Sequence, residues 1–163
     1  MKFLGYEVEA HDVDIAEVIE AAKFDEYDAD MGTAGLCGTF ALALKEVFPQ
    51  VSLALVCLNG ADGKIQMGRL DGVPIWKHVV AMQDGQLLDI EGSVKLEHVI
   101  ENYCWDNKSG AGGDLYPVSV EHLREIVFAD GRSFDDRWFA KWTDDLRSAR
   151  DYLLACAVAC PGP

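Results

Sequence analysis

The segment "WKHVVAMQDGQLLDIEG", residues 76–92, restricts the fold of this chain more than any other. Two stretches rich in β-formers flank the dipeptide Asp84-Gly85, a pattern typical of a two-residue turn between antiparallel strands. Such a turn fixes which residues face each other across the hairpin: Gln83 and Gln86, Met82 and Leu87, Val80 and Asp89, and His78 and Glu91. The sequence therefore predicts a β-hairpin whose register follows from the turn alone.

Further strands are predicted before this hairpin. The apolar run "VSLALVCL", residues 51–58, lies between Pro49 and "NGADG" and indicates a buried central strand. "KIQMGRL", residues 64–70, is another strand candidate, and the hairpin itself supplies strands over 75–82 and 86–91. Three or four antiparallel strands are expected.

Helical spacing of apolar residues predicts helices on both sides of these strands. The first covers residues 12–22 with Asp12 as N-cap, the second covers 36–48, and the acidic segment between them, "KFDEYDADMGTAG", is interpreted as a loop. Three helices follow the strands: 95–103 capped by Ser93, 119–128, and a long helix that begins at Ser133. The segment 105–114, which contains several glycines, is predicted to be a flexible loop.

The order of these elements, helices first, then consecutive strands, then helices, is the segregated α+β pattern. The chain has 163 residues, half of them hydrophobic, which is the usual size and composition of one globular domain. We therefore expect a single domain over residues 1–163 with one shared core.

Charge and cysteine content narrow the classes of function. With 28 acidic against 14 basic residues, the net charge of −14 repels phosphate backbones and anionic lipids, so nucleic acid and membrane partners are not expected. No signal peptide or membrane-spanning run is visible, which favours a cytoplasmic protein. Five cysteines without a CxxC pair give no support to a disulfide framework or a zinc site, and no metal or cofactor is expected.

Cys37, in "GTAGLCGTFALALKEVF", stands where the chain changes from loop to helical pattern. At the first turn of a helix, unpaired backbone N–H groups and the helix dipole both favour thiolate over thiol. Gly35 and Gly38 remove side chains on either side, so that a substrate could approach and the Cys37 N–H could stabilise an oxyanion. The alternative is that Cys37 is a small apolar residue on the buried face of the helix.

The hairpin register offers a base for this thiol. His78 and Asp89 share one face and are diagonal neighbours, a separation that long side chains bridge, while Glu91 lies directly across from His78 and competes with Asp89. Nucleophile, base and orienting acid would then follow the logic of a Cys/His/Asp triad. The alternative is a structural histidine. The opposite face of the hairpin is apolar and is predicted to be core: Val79, Ala81, Leu88 and Ile90.

Taken together, "GLCGTFALAL" and "KHVVAMQDGQLLDIEG", in this order, resemble the papain-like cysteine hydrolases, and in particular the transglutaminase core. The resemblance covers Thr33 to Gly92, somewhat over a third of the chain, and the chain also resembles short bacterial and phage proteins of this pattern. It implies an antiparallel sheet packed against an N-terminal nucleophile helix, followed by C-terminal helices.

The resemblance also implies acyl transfer on an amide bond through a thioester, with Cys37 as nucleophile, His78 as base and acid, and Asp89 as the orienting residue. Papain-like enzymes commonly have a glutamine shortly before the nucleophile as an oxyanion donor, and this chain has none there, so Thr33 or a second backbone group would have to serve. Trp76, two residues before His78, is interpreted either as the wall of a substrate cleft or as packing.

The expected substrate is a protein or peptide, with the acidity of the chain favouring a basic one, and the oligomeric state is left open. Peptidase, isopeptidase, deamidase and acyltransferase activities all fit the triad. A different class of function also fits: a non-catalytic acidic interaction protein on the same fold, either an inhibitor that binds a basic partner through "FDEYDADM", residues 24–31, or a polyanion mimic.

Overall fold

A computed structural model describes residues 13–69, 72–108 and 112–159. The helices in these ranges are α1 (Ile15–Ala22), α2 (Glu26–Ala34), α3 (Cys37–Val47), α4 (Leu96–Tyr103), α5 (Val120–Ile126) and α6 (Asp136–Ala159). The strands are β1 (Ser52–Leu58), β2 (Trp76–Gln83), β3 (Gln86–Asp89), β4 (Gly92–Val94) and β5 (Gly113–Val118). The chain is therefore an α+β protein, as predicted.

The strands form one antiparallel sheet in the order β4-β3-β2-β1-β5. The predicted hairpin is the centre of this order, and β1 is an internal strand paired with both β2 and β5. Since β2 and β1 lie in the middle, the most apolar segments of the chain occupy the most buried strands.

Helices cover both faces of the sheet. On one face, α1, α3 and α6 bury the larger apolar cluster, which includes the four hairpin residues predicted to be core: Val79, Ala81, Leu88 and Ile90. On the other face, α4 covers a smaller apolar cluster that includes Val56, Val80, Leu87 and Val99. The second face is thus also buried where α4 covers it, and a polar residue beneath this helix lies inside the protein.

The turn of the hairpin is as predicted. Gln83 pairs with Gln86 and Met82 with Leu87, and positive φ angles of 50° at Asp84 and 78° at Gly85 are those of a primed two-residue turn. The ladder ends one pair later, at Ala81 and Leu88, so the predicted pairings of Val80 with Asp89 and of His78 with Glu91 are absent from it. The reason is that the chain turns again at Ile90 and Glu91 into β4, which pairs Asp89 with Gly92.

The acidic segment interpreted as a loop is largely helical, and this prediction was wrong. Asp25 and Asp28 form a capping box at the start of α2, each side chain accepting a hydrogen bond from the other's backbone N–H. Asp28 is also buried and accepts hydrogen bonds from Lys141 and Trp142 of α6. The acidic residues that suggested a loop in fact stabilise this helix. Asp25 and Asp28 cap its start, and Asp28 also binds it to α6.

Two strand predictions also failed. Of the candidate strand 64–70, the described part makes only isolated bridges, Asn59 with Ile65 and Met67 with Pro74, and Leu70 lies outside the described residues. Conversely, β5 was not predicted, because it follows a glycine-containing segment and contains Pro117. Proline is tolerated there since β5 is an edge strand whose neighbour in the sheet is β1.

Three predicted helix starts differ from the observed ones. The side chain of Asp14 caps α1, whereas Asp12 lies outside the described residues. Ser93 belongs to β4, so α4 begins without a side-chain cap. The side chain of Asp135, and not Ser133, accepts hydrogen bonds from the first turn of α6. No helix in the described residues is both long enough and apolar enough to span a membrane.

Candidate active site

Cys37 is the first residue of α3, and the N-terminus of this helix differs from most others in the protein. Side chains of aspartate or serine cap α1, α2, α5 and α6. No side chain caps α3, whose N-cap residue is Leu36, and its first turn contains no acidic residue. No acidic or capping side chain therefore neutralises the partial positive charge at this helix end, where Cys37 lies.

The glycines beside Cys37 have different functions from each other. An added Cβ at Gly35 would meet nothing within 4 Å, so this position is open. At Gly38, an added Cβ would lie 2.9 Å from the Phe128 ring and 3.0 Å from Val127. Gly38 therefore makes room for the end of α5 and the 3₁₀ turn that follows it. A path for substrate past Gly38 stays a prediction.

His78 lies directly after an irregularity in β2. Val56 pairs with His78 but Cys57 pairs with Trp76, so Lys77 is an extra residue and the strand bulges there. A bulge reverses the alternation of side chains along a strand and commonly redirects a residue at a functional site. Trp76 accordingly packs against the larger apolar cluster, on the face covered by α3, while the His78 ring packs against α4 on the other face. Trp76 and His78 thus do not share a face, contrary to the prediction.

His78 and Asp89 form a buried pair. Nε2 of His78 lies 3.1 Å from Oδ2 of Asp89, and the two side chains are 0% and 3% exposed. The second oxygen of Asp89, Oδ1, accepts a hydrogen bond of 2.8 Å from the backbone N–H of Glu91. The Glu91 side chain is exposed. The sequence left Asp89 and Glu91 as alternative partners for His78, and Asp89 is the one that contacts the imidazole.

The other ring nitrogen of His78, Nδ1, makes no hydrogen bond of ordinary geometry with any described residue, although it is buried. The Cys37 thiol, a weak donor and acceptor, also acts on the imidazole and favours its protonated form. Burial works to lower the pKa of His78, but Asp89 and Cys37 outweigh it and raise that pKa to about 9. The imidazole is therefore protonated at neutral pH.

Tyr103, the last residue of α4, completes the surroundings of His78. The two rings stack in parallel, with centroids 3.9 Å apart and an interplanar angle of 5°. Sequence reasoning missed this residue. The sequence did contain a signal for Tyr103, because apolar residues three or four positions apart place one face of α4 on the sheet, with Tyr103 at its end. These residues are Leu96, Val99, Ile100 and Tyr103.

Thr33 has no donor to offer to this site. Its hydroxyl donates a hydrogen bond of 2.8 Å to the carbonyl of Ala29, one turn earlier in α2. The other oxyanion donor that the sequence suggested is the backbone N–H of Cys37, which lies at the uncapped start of α3.

Two cavities lie next to the turn between β3 and β4. One, of about 260 Å³, is lined by Asp89, Tyr103 and polar residues of the β4–α4 region, among them Glu91, Lys95, His98 and Asn102. The other, of about 630 Å³, is lined by α1 and the β3–β4 turn and carries the carboxylates of Glu17, Glu20 and Glu91. Cys37 lines neither of the two, and its side chain is 6% exposed.

The described residues contain no group of three or more His, Cys, Asp or Glu side chains that could hold a metal ion. Cys37, Cys57, Cys104 and Cys156 are free thiols, and Cys160 lies outside the described residues.

The fold and the site together define an α+β protein in which a helix-start cysteine and a buried histidine–aspartate pair are brought together. No protein-family model matches the chain, no curated protein matches its sequence, and no solved structure matches it.

Proposed function

We propose that this protein is a thiol-dependent acyl hydrolase or acyltransferase of the papain-like and transglutaminase-like kind, acting on an amide bond. Cys37 is the nucleophile, His78 is the base and acid, and Asp89 orients the imidazole. The observation that carries the proposal is that two groups act on the same buried ring: Asp89, whose Oδ2 lies 3.1 Å from Nε2, and the Cys37 thiol. The other ring nitrogen, Nδ1, has no hydrogen-bond partner among the described residues.

The chemistry follows from these contacts. The proton of the Cys37 thiol passes to His78, and the resulting imidazolium is stabilised by the Asp89 carboxylate. The sulfur attacks the amide carbonyl, the C–N bond breaks, and the imidazolium gives its proton to the leaving amine. A thioester remains on Cys37. Water or an amine then adds to the thioester, loses its proton to His78, and displaces the sulfur.

The raised pKa of His78 fits the first step of this sequence. A histidine with a pKa of about 9 is a stronger base than an ordinary imidazole and holds the proton that it takes from sulfur at neutral pH. Cys37 sits at the positive end of α3, so both the helix and the imidazolium favour the negatively charged sulfur.

The substrate class we propose is a protein or peptide, and the net charge of −14 favours one with basic residues. Peptidase, isopeptidase, deamidase and transferase chemistry differ in the group that leaves and the group that accepts the acyl chain. All of them use the same three residues.

The small exposed fraction of Cys37, 6%, favours a second candidate function, a non-catalytic interaction protein. The acidic segment 24–31 is less available for this than the sequence suggested, because Asp25 and Asp28 are engaged in capping α2 and in contacts with α6. Exposed carboxylates that remain on α2 are those of Glu26 and Asp30. A basic partner bound at this surface would be released by salt.

The experiment that tests the enzyme proposal compares iodoacetamide alkylation of Cys37 in the native protein and in His78→Gln at pH 7, followed by peptide mass spectrometry. Because the two proteins are compared with each other, the limited access of iodoacetamide to the Cys37 sulfur affects both alkylation rates and cancels in their ratio. Cys156 is exposed and serves as an internal reference whose rate stays constant. We expect alkylation of Cys37 to fall at least tenfold in His78→Gln. Equal rates in both proteins would contradict the proposal and favour the interaction protein.

A further inference from the structure

We propose that Tyr103 is a positioning residue for His78: its ring fixes the plane of the imidazole and keeps water from the His78–Asp89 hydrogen bond. This inference extends the proposed function, since it concerns the same imidazole, and it rests on contacts that can be tested without activity. The stacking distance of 3.9 Å and the angle of 5° between the rings place one whole face of the imidazole against Tyr103.

The position of Tyr103 relative to the cavity of about 260 Å³ supports a shielding function. Tyr103 and Asp89 line this cavity, whereas His78, which is 0% exposed, does not. The phenol ring therefore stands between the space beside Asp89 and the imidazole. Without the ring, water in the cavity would reach the hydrogen bond from the α4 side and weaken it by competing for Asp89.

A stacked ring also favours the protonated form of the histidine. The π face of an aromatic ring carries partial negative charge and attracts a cation placed over it. The ionisable groups that face His78 are Cys37 from α3, Asp89 from β3 and Tyr103 from α4, and Glu91 acts on Tyr103 in turn. Burial raises the pKa of the Tyr103 hydroxyl, as do the charges of Asp89, Glu91 and Cys37, so the phenol stays neutral and the ring remains the interacting group.

The test uses two substitutions that separate the ring from its hydroxyl. Tyr103→Phe keeps the stacked ring, and Tyr103→Leu keeps an apolar side chain but removes the stack. His78 is one of four histidines in the chain, and its NMR signals are identified by their loss in His78→Gln. The measurements are the titration midpoint of His78 and the exchange with water of its Nε2 proton. Trp105→Leu, two residues further along the chain at a side chain 80% exposed, is the matched control.

We expect Tyr103→Leu to lower the titration midpoint by roughly half to one pH unit, a three- to tenfold change in the protonation equilibrium, and to speed exchange of the Nε2 proton. Tyr103→Phe and Trp105→Leu should leave both measurements unchanged. If Tyr103→Leu behaves like the native protein, or if Tyr103→Phe behaves like Tyr103→Leu, the positioning role of the ring is wrong. These measurements do not depend on the reactivity of Cys37. Failure of the positioning role is therefore distinguishable from failure of the proposed enzyme function, which the alkylation ratio tests.

Discussion

Nε2 of His78 lies 3.1 Å from Oδ2 of Asp89, with neither side chain more than 3% exposed. A buried imidazolium beside a buried carboxylate is stable only if each group is compensated, because both lose their hydration. Asp89 receives a second hydrogen bond from the Glu91 N–H, and His78 has Tyr103 stacked on its face. The protonation of His78 is thus linked to folding.

The first prediction concerns stability against pH. The pKa of His78 is about 9 in the folded protein and near 6.5 when unfolded, so the folded state binds the proton more tightly. Its stabilising contribution is complete below about pH 6.5 and is lost as pH rises through 9. We expect the free energy of unfolding of the native protein to fall by up to about 3 kcal/mol over this interval. Urea denaturation at a series of pH values measures it.

The control for this prediction is His98→Gln, which changes an exposed histidine. That variant should retain the decline between pH 6.5 and 9, whereas His78→Gln should show a flatter curve. An identical decline in His78→Gln would mean that other groups cause it.

A second prediction concerns Asp89→Asn. The substitution keeps the size of the side chain and removes the charge that holds the imidazolium, so the pKa of His78 should fall from about 9 towards its ordinary value. Loss of one partner from a buried ion pair costs about 3 kcal/mol of stability. We also expect slower alkylation of Cys37. Glu91→Gln is the matched control, because the Glu91 side chain is exposed, and it should change none of these three quantities. An equal effect of Glu91→Gln would reassign the orienting role.

The sequence was sufficient for the part of the site that depends on local structure. A two-residue turn determines parity over several residues, which is why His78, Asp89 and the apolar residues on the opposite face could be assigned from Asp84-Gly85. The start of α3 at Cys37 followed from the change between loop and helical pattern. Whether these residues perform catalysis remains a prediction.

Features set by tertiary packing were not accessible in this way. The bulge at Lys77 depends on how β1 pairs with β2, and nothing in the local sequence marks it. Stacking of Tyr103 on His78 depends on how α4 docks on the sheet. The segment that became α2 has weak helical amphipathicity, and its helix is stabilised by the contacts of Asp28 with α6, which lies more than a hundred residues away along the chain.

A third prediction follows from the close contact between α2 and the end of β3. A Cβ added at Gly32 would lie 2.7 Å from Cδ1 and 2.8 Å from Cγ2 of Ile90, the residue after Asp89. Ile90 is buried and β-branched, so it has little freedom to move. We expect Gly32→Ala to destabilise the protein by about 1–2 kcal/mol, since overpacking outweighs the gain in helix propensity.

Chemical denaturation compared with Gly35→Ala tests this contact, because nothing lies within 4 Å of the added Cβ at Gly35. The control variant should be as stable as the native protein. A Gly32→Ala protein that is equally stable would show that α2 and Ile90 can separate without cost.

The last prediction concerns Asp28, which joins α2 to α6. Its Oδ1 accepts hydrogen bonds of 2.7 Å from Lys141 and 3.1 Å from the indole N–H of Trp142, a side chain that is fully buried. Burial works to raise the pKa of Asp28, but the hydrogen bonds from Lys141, Trp142 and the Asp25 backbone lower it below 3.8. A lowered pKa stabilises the fold above the unfolded value, and this stability is lost as pH falls through the folded value.

We therefore expect Asp28→Ala to cost about 2–3 kcal/mol at pH 7, chiefly because the buried Trp142 N–H loses its acceptor; Lys141 is half exposed and contributes less. The difference from the native protein should begin to shrink below about pH 4, where this carboxyl becomes protonated in the unfolded chain, and should shrink further as pH falls through the lower pKa of the folded protein. Asp30→Ala, at an exposed position of the same helix, is the control and should change stability little. A cost for Asp28→Ala no larger than for Asp30→Ala would mean that apolar packing alone holds α2 against α6.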